Sequence, residues 1–182
     1  MKHALVAGTF VLSLAAMPVL AQEAAKSSTA KHPDESFVVN AAKDGMAEVE
    51  IAKLGVEKAS RDEVKKFAQR MADDHTKAND ELKAQAEKKS ITLPTSVDPK
   101  HKATHDRLAK LSGAAFDRAF MQGMVADHRK AVAAFKTESQ SGKDPDVKAW
   151  AGQTLPTLED HLKMAQDTAK DVSAVGTSGK KK

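Results

Sequence analysis

The sequence predicts an all-α protein, a four-helix bundle in which two helical hairpins are joined by a long crossover. Three observations predict it. The composition is rich in Ala, Lys, Glu, Asp and Leu, with 4% aromatics and no Tyr, and it lacks long β-branched runs, which favours helix over strand. Apolar residues recur at three- and four-residue steps in four separate stretches, the period of a helix with one buried face. The breaks between these stretches run short, long, short, as two antiparallel pairs with a crossover between them require.

The N-terminal segment stands apart from the bundle. Lys2 supplies a positive start, residues 4–20 are apolar apart from Thr9 and Ser13, and Val19-Leu20-Ala21 places small or modest side chains where a signal peptidase cuts. Residues 1–21 are therefore expected to be a secretory signal removed after Ala21. The competing reading is a retained anchor, but the apolar run is short for a span, Pro18 interrupts its end, and no positive stop-transfer cluster follows. No other stretch is apolar enough to cross a bilayer, so no integral membrane span is expected after cleavage. The destination is the periplasm first, with association to an outer membrane or release from the cell as alternatives. About 160 residues then remain, enough for one domain with a sizeable core.

No cysteine is present, which excludes disulfides, thiolate metal sites and a lipid anchor on a thiol. The net charge of +4 is spread among many acidic residues, and the one dense basic run is at residues 180–182. A nucleic-acid partner is not expected, because a groove or strand binder needs a basic face with stacking aromatics.

Residues 22–33 are polar and small and read as a flexible leader; the folded domain is assigned to residues 34–170 and a disordered basic tail to residues 171–182. The first helix starts near Asp34, its stripe running through Phe37, Val38, Ala41, Ala42, Gly45, Val49, Ala52 and Val56. A tight join near Ser60 leads into the second helix, from about Arg61 to Lys89, with Val64, Phe67, Ala68, Met71, His75, Ala78 and Leu82 inward. The segment from Thr92 to Thr104 carries Pro94 and Pro99 without periodicity and reads as the crossover, followed by a short helix at His105 to Leu111. Ser112 caps a third helix through Phe116, Phe120, Met124, His128, Ala131 and Phe135, which ends at Gly142. Asp144-Pro145 opens a fourth, through Val147, Trp150 and Ala151. Pro156 should kink or break it near Leu155, and its last part, with Leu158, His161, Leu162 and Ala165, runs to about Lys170. Helix two and helix three share a weak repeat, Phe67 to Met71 to Asp74-His75 against Phe120 to Met124 to Asp127-His128, at an offset of 53 residues.

Three of the seven histidines follow an aspartate directly: Asp74-His75, Asp127-His128 and Asp160-His161. Their helical neighbours are largely apolar or small, so the rings of His75, His128 and His161 point inward. One inward histidine is usually a core residue with both nitrogens hydrogen-bonded. Three in one small bundle leave six ring nitrogens to satisfy, and imidazole is a common ligand of zinc, copper and iron. The candidate cofactor is thus one divalent transition metal ion, zinc, iron or copper. Glu48, at the edge of the small-residue stripe of helix one, is a candidate fourth ligand; the alternative makes it a bundle-edge residue paired with a lysine. Asp74, Asp127 and Asp160 lie about a hundred degrees round their helices from the adjacent rings, so each could orient a histidine on another helix from outside the ligand set. The alternative is surface charge, with Arg70 and Lys77 near Asp74 and Lys130 near Asp127. His101 and His105 follow Pro99 in the crossover and lack the intervening glutamate of a zinc-protease motif, so they are expected at the solvent-exposed surface. Met71, Met121 and Met124 are assigned to the core. There is no nucleophile elbow, phosphate loop or dinucleotide fingerprint, and catalysis would have to come from a metal.

The segments Ala47-Glu48-Val49-Glu50, Val64-Lys65-Lys66-Phe67-Ala68 to Asp74-His75, Leu111-Ser112-Gly113 to Phe116-Asp117, Met124-Val125-Ala126-Asp127-His128 and Leu155-Pro156 to His161-Leu162 resemble the exported bacterial DUF4142 family, grouped with ferritin-like bundles. The resemblance runs from about Phe37 to Ala169. It implies a ferritin-like up-down bundle, with the matching positions falling on Glu48, His75, His128 and His161. Classical di-iron members of the wider group carry glutamate three residues before each histidine; here those positions are Ala72, Val125 and Leu158. A di-iron centre therefore does not fit, and a mononuclear, histidine-rich site does. The leading expectation is an exported metal-binding bundle, the alternative is a structural or stress-related interaction protein of the cell envelope without metal, and a metal-dependent oxidoreductase ranks third.

Overall fold

The structure, a computed structural model, describes residue 32 and residues 34–178. The segment assigned to the secretory signal, most of the leader and residues 179–182 of the tail lie outside the described residues. Five helices make up the described chain: α1 (Glu35–Lys58), α2 (Asp62–Lys88), α3 (Pro99–Ala109), α4 (Gly113–Ser141) and α5 (Pro145–Ser178). No strand occurs among the described residues. The four long helices form the bundle and α3 lies in the crossover.

Local chemistry sets the starts. The Asp144 carboxylate accepts from the backbone N–H groups of Asp146 and Val147 at 2.9 and 3.0 Å, and Pro145 occupies the first helical position, where a missing N–H costs nothing. Asp98 and Pro99 repeat the device for α3, the carboxylate accepting from the His101 N–H at 3.0 Å. The crossover therefore turns helical already at Pro99, not at His105 as periodicity suggested. Ser112 does hold the position before α4, but its hydroxyl makes no capping hydrogen bond.

Two further differences from the sequence reading have physical causes. Helix α5 runs through Pro156 without a break. Pro156 and Gly152, whose carbonyl loses its helical donor, are both exposed, so water satisfies the freed group. Helix α5 also continues past Lys170 to Ser178, because Val172 is buried in the core and draws the first part of the expected tail into the fold.

Contacts concentrate within the α1–α2 and α4–α5 hairpins; between the hairpins α2 meets α5 and α1 meets α4. Buried Asp117 on α4 ties them together, accepting from the Ser60 N–H at 2.9 Å and from the Ser60 hydroxyl at the α1–α2 turn. The core divides into two apolar layers. At one end Ile51, Phe67, Met71, Phe116, Phe120, Met121 and Met124 pack with Leu108 of α3. At the other end Val38, Ala42, Leu82, Val147 and Trp150 pack together, which places the start of α1 beside the end of α2 and the start of α5. Residues midway along each helix lie between these layers.

Gly55 marks a close helix approach in the larger core: a Cβ there would stand 2.7 Å from Phe120 Cζ and 2.8 Å from Ala68 Cβ. The neighbours are a fully buried ring and a methyl carried directly on the α2 backbone, and neither can withdraw cheaply. Replacing Gly55 with Val should therefore destabilise the protein by about 2 kcal/mol or more through overpacking. Urea unfolding monitored by circular dichroism measures this; a variant as stable as the parent would contradict the packing described.

Candidate metal centre

His75 on α2, His128 on α4 and His161 on α5 meet midway along the bundle, between the two apolar layers. Their rings form a near-equilateral triangle, with centroid separations of 5.5, 5.4 and 5.4 Å. All three are buried, His128 and His161 to 1% exposure. Each offers one ring nitrogen to a group whose atoms all lie within 4.8 Å of one another.

The hydrogen bonds decide which nitrogens face inward. His128 Nδ1 lies 2.9 Å from the Met124 carbonyl, which fixes the proton on Nδ1 and leaves Nε2 with a free lone pair. That Nε2 is 3.3 Å from His75 Nε2. Two nitrogens bound at about 2.0–2.1 Å to one tetrahedral ion stand about 3.3 Å apart. His161 Nε2 donates to Asp74 Oδ2 at 2.9 Å, so its Nδ1, buried and without any hydrogen-bond partner, is the nitrogen left to face an ion. The donor set fits a metal: three neutral imidazoles, two of them held in orientation through their other nitrogen, and one orphaned lone pair.

Burial sets the electrostatics. Desolvation, reinforced by the charges His128 and His161 would carry, pushes the His75 pKa down to about 3, and desolvation with His161 pushes His128 down to about 4. Burial lowers His161 as well, against the opposing hydrogen bond to Asp74. Burial alone would raise the Asp74 carboxyl, but the hydrogen bonds from His161 and Arg70 outweigh it and hold it below the usual carboxylate range. At neutral pH the three rings are uncharged, the form in which imidazole binds metal.

Of the three aspartates, Asp74 reaches across to the histidine of another helix, while also accepting from Arg70 at 3.1 Å. Asp127 is partly exposed and pairs with Lys130 at 3.1 Å, and Asp160 is exposed. Glu48 is buried and lines the same cavity as the rings, but the convergent group is the three histidines. Among the described residues no lysine pairs with it: Oε2 has no hydrogen bond, and burial, with Asp127 and Asp44 nearby, pushes its pKa up to about 8. His101 departs from its expected exposure. It is half-buried on the cavity wall, with Nε2 3.4 Å from Asp44 and Nδ1 3.2 Å from Asp98. The cap at Asp98-Pro99 was the signal that would have placed it on a helix packed against α1.

These shifts give the metal-free protein a pH signature. The histidines bind protons more readily when unfolded, so their contribution is complete above pH 6.5 and lost as pH falls toward 4 and 3. Glu48 is the reverse: protonated in the fold and ionised when unfolded, it lowers stability as pH rises from 4.5 to about 8. Stability should peak near pH 6.5–7. Glu48→Gln should remove the alkaline decline and leave the acid one, as denaturant midpoints across pH 4–9 would show; an unchanged alkaline limb would contradict the burial of an ionisable Glu48.

Solved structures share this fold. A DUF305 fragment from Deinococcus radiodurans is 16% identical, with a TM-score of 0.68 over 76% of this chain and 95% of its own. A DUF305 protein of Streptomyces coelicolor is 16% identical, with a TM-score of 0.66 over 78% and 93%. CopM in its Cu(I)-bound form is 19% identical, with a TM-score of 0.64 over 78% and 98%. No curated protein is significantly similar in sequence. Residues 19–168 match the family described as Domain of unknown function (DUF4142). That match covers most of the chain, and the chain belongs to the DUF4142 family.

Proposed function

We propose that this is an exported protein that holds one transition metal ion on His75, His128 and His161, for binding, buffering or sensing rather than for catalysis. The observation that carries the reading is the convergence of three buried, neutral imidazoles on one point. His75 and His128 would bind through Nε2 and His161 through Nδ1, with Asp74 and the Met124 carbonyl fixing the outer nitrogens. When bound, the ion supplies a Lewis-acidic, exchangeable centre. Glu48 stands by as a carboxylate that would ionise on approach of a cation. Among zinc, iron and copper, copper is placed first: imidazole suits it, and CopM, of similar fold, has been solved with Cu(I), Cu(II) and silver. Export rests on residues 1–21 and is supported by the Streptomyces coelicolor neighbour, named as a candidate secreted protein. Among the described residues no helix is long and apolar enough to cross a membrane.

A second reading keeps the rings as structure alone, favoured by the contacts that His75, His128 and Asp74 already make without an ion. Metal analysis of protein purified from the periplasm separates the two. One equivalent of metal is expected on a chain beginning at Gln22, lost on His128→Ala or His161→Ala, with affinity reduced about tenfold to a hundredfold by Asp74→Asn. Protein that takes up no stoichiometric copper, zinc or iron would leave the structural reading.

A further inference from the structure

Three rings buried between two packed layers meet an ion from solvent only if the fold provides a way in. One cavity of about 680 Å³ has all three histidines in its lining. Every exposed residue of that lining belongs to α1, α3 or α4, among them Asp44, Arg107, Ala126 and Lys130. The cavity therefore opens between α1 and α4, beside α3. On α4 this opening is edged by small residues, and a Cβ added at Gly123, which lines the cavity, would meet nothing within 4 Å.

Three carboxylates mark the way from this opening to the rings. Helix α1, which gives no histidine to the triad, carries Asp44 and, one turn further on, Glu48, two positions that share a helix face. Asp127 faces them from α4: its charge acts on both Asp44 and Glu48, and Asp44 acts on Glu48. Exposure falls along the series, from 67% at the Asp44 side chain to 42% at Asp127 and 8% at Glu48. Glu48 is the inner member, and its Oε2 is sealed from solvent without a hydrogen-bond partner. A carboxyl group buried on these terms is costly unless something answers it, and it lines the cavity that holds the histidines.

We propose that Asp44, Asp127 and Glu48 form the entry port of the metal centre, a short series of carboxylates along which a hydrated divalent cation passes from solvent to the three imidazoles. The inference rests on the metal reading above and adds the route. At neutral pH the standing charge of the port is that of Asp44 and Asp127, Glu48 being uncharged until an ion reaches it. Carboxylate oxygens suit an ion that keeps its waters, whereas copper and zinc prefer imidazole nitrogen, so the series passes the ion inward instead of retaining it. Cations stand at the opening too. Lys130 lies 3.1 Å from Asp127, His101 Nε2 lies 3.4 Å from Asp44, and Lys100 acts on Asp44. Exposed pairs of this kind contribute about 0–1 kcal/mol each, so they yield to a divalent ion.

Rates test a route where affinities do not. Stopped-flow mixing of metal-free protein with Cu(II), read in the imidazole-to-copper absorption band, gives loading, and mixing the loaded protein with excess EDTA gives release. Asp44→Asn combined with Asp127→Asn is expected to slow both about tenfold while the dissociation constant stays within about threefold, because a port lowers the barrier in both directions. Glu50→Gln combined with Asp171→Asn, exposed carboxylates outside the cavity lining, removes the same charge and should leave both rates near those of the parent. Loading as fast in the Asp44 and Asp127 variant as in the parent, equal slowing in the control pair, or slower loading with release unchanged overturns the port. Protein that binds no Cu(II) at all overturns the metal reading and the port with it, whereas binding at unaltered rates overturns the port alone.

Discussion

The constraint on which the structure turns is the burial of three imidazoles at one level of the bundle. An imidazole removed from water is far easier to keep neutral than to charge, and a second and third beside it sharpen that preference. Desolvation and mutual repulsion act together on His75 and His128, and the one nearby carboxylate that hydrogen-bonds a ring, Asp74, does not reverse the balance at His161. The outcome is a set of lone pairs that must be met by hydrogen bonds or by a cation. Asp74 and the Met124 carbonyl accept from the N–H groups of His161 and His128, and in doing so they turn the lone-pair nitrogens toward one another.

The rest of the fold is arranged around that level. Large apolar side chains fill the layers on either side, so the polar residues are held between two packed cores rather than at a bundle end open to water. The α1–α2 hairpin contributes His75 and the α4–α5 hairpin His128 and His161 to the contact between them, and the 53-residue offset joining Phe67 with Phe120 and His75 with His128 puts the same pattern on α2 and α4. Small residues beside the histidines leave the cavity unfilled. A void there is costly only if it stays dry and empty of partners, and the polar side chains among its lining residues suit water or an ion.

Much of the fold was legible because it depends on local period. The apolar steps located the four long helices, and Asp144-Pro145 located the start of α5. The failures came where periodicity was too short to register or a single residue was read without its surroundings. Helix α3, with 11 residues, hid its start at Asp98-Pro99, and His101 was therefore set in a loop. Pro156 looks like a breaker until its exposure, and that of Gly152, is known. For the site, the inward direction of His75, His128 and His161 follows from their helical neighbours. Their convergence depends on the relative register of three helices, which no local pattern contains, and so does the reach of Asp74 to His161 while Asp127 and Asp160 touch no ring.

The most direct test of the account is X-ray absorption spectroscopy of the metal-loaded protein. The account predicts a first shell dominated by three nitrogens at about 2.0 Å with the outer-shell scattering of imidazole, reduced in His161→Ala. A shell of oxygen or thioether sulfur without imidazole scattering would place the ion elsewhere and contradict it.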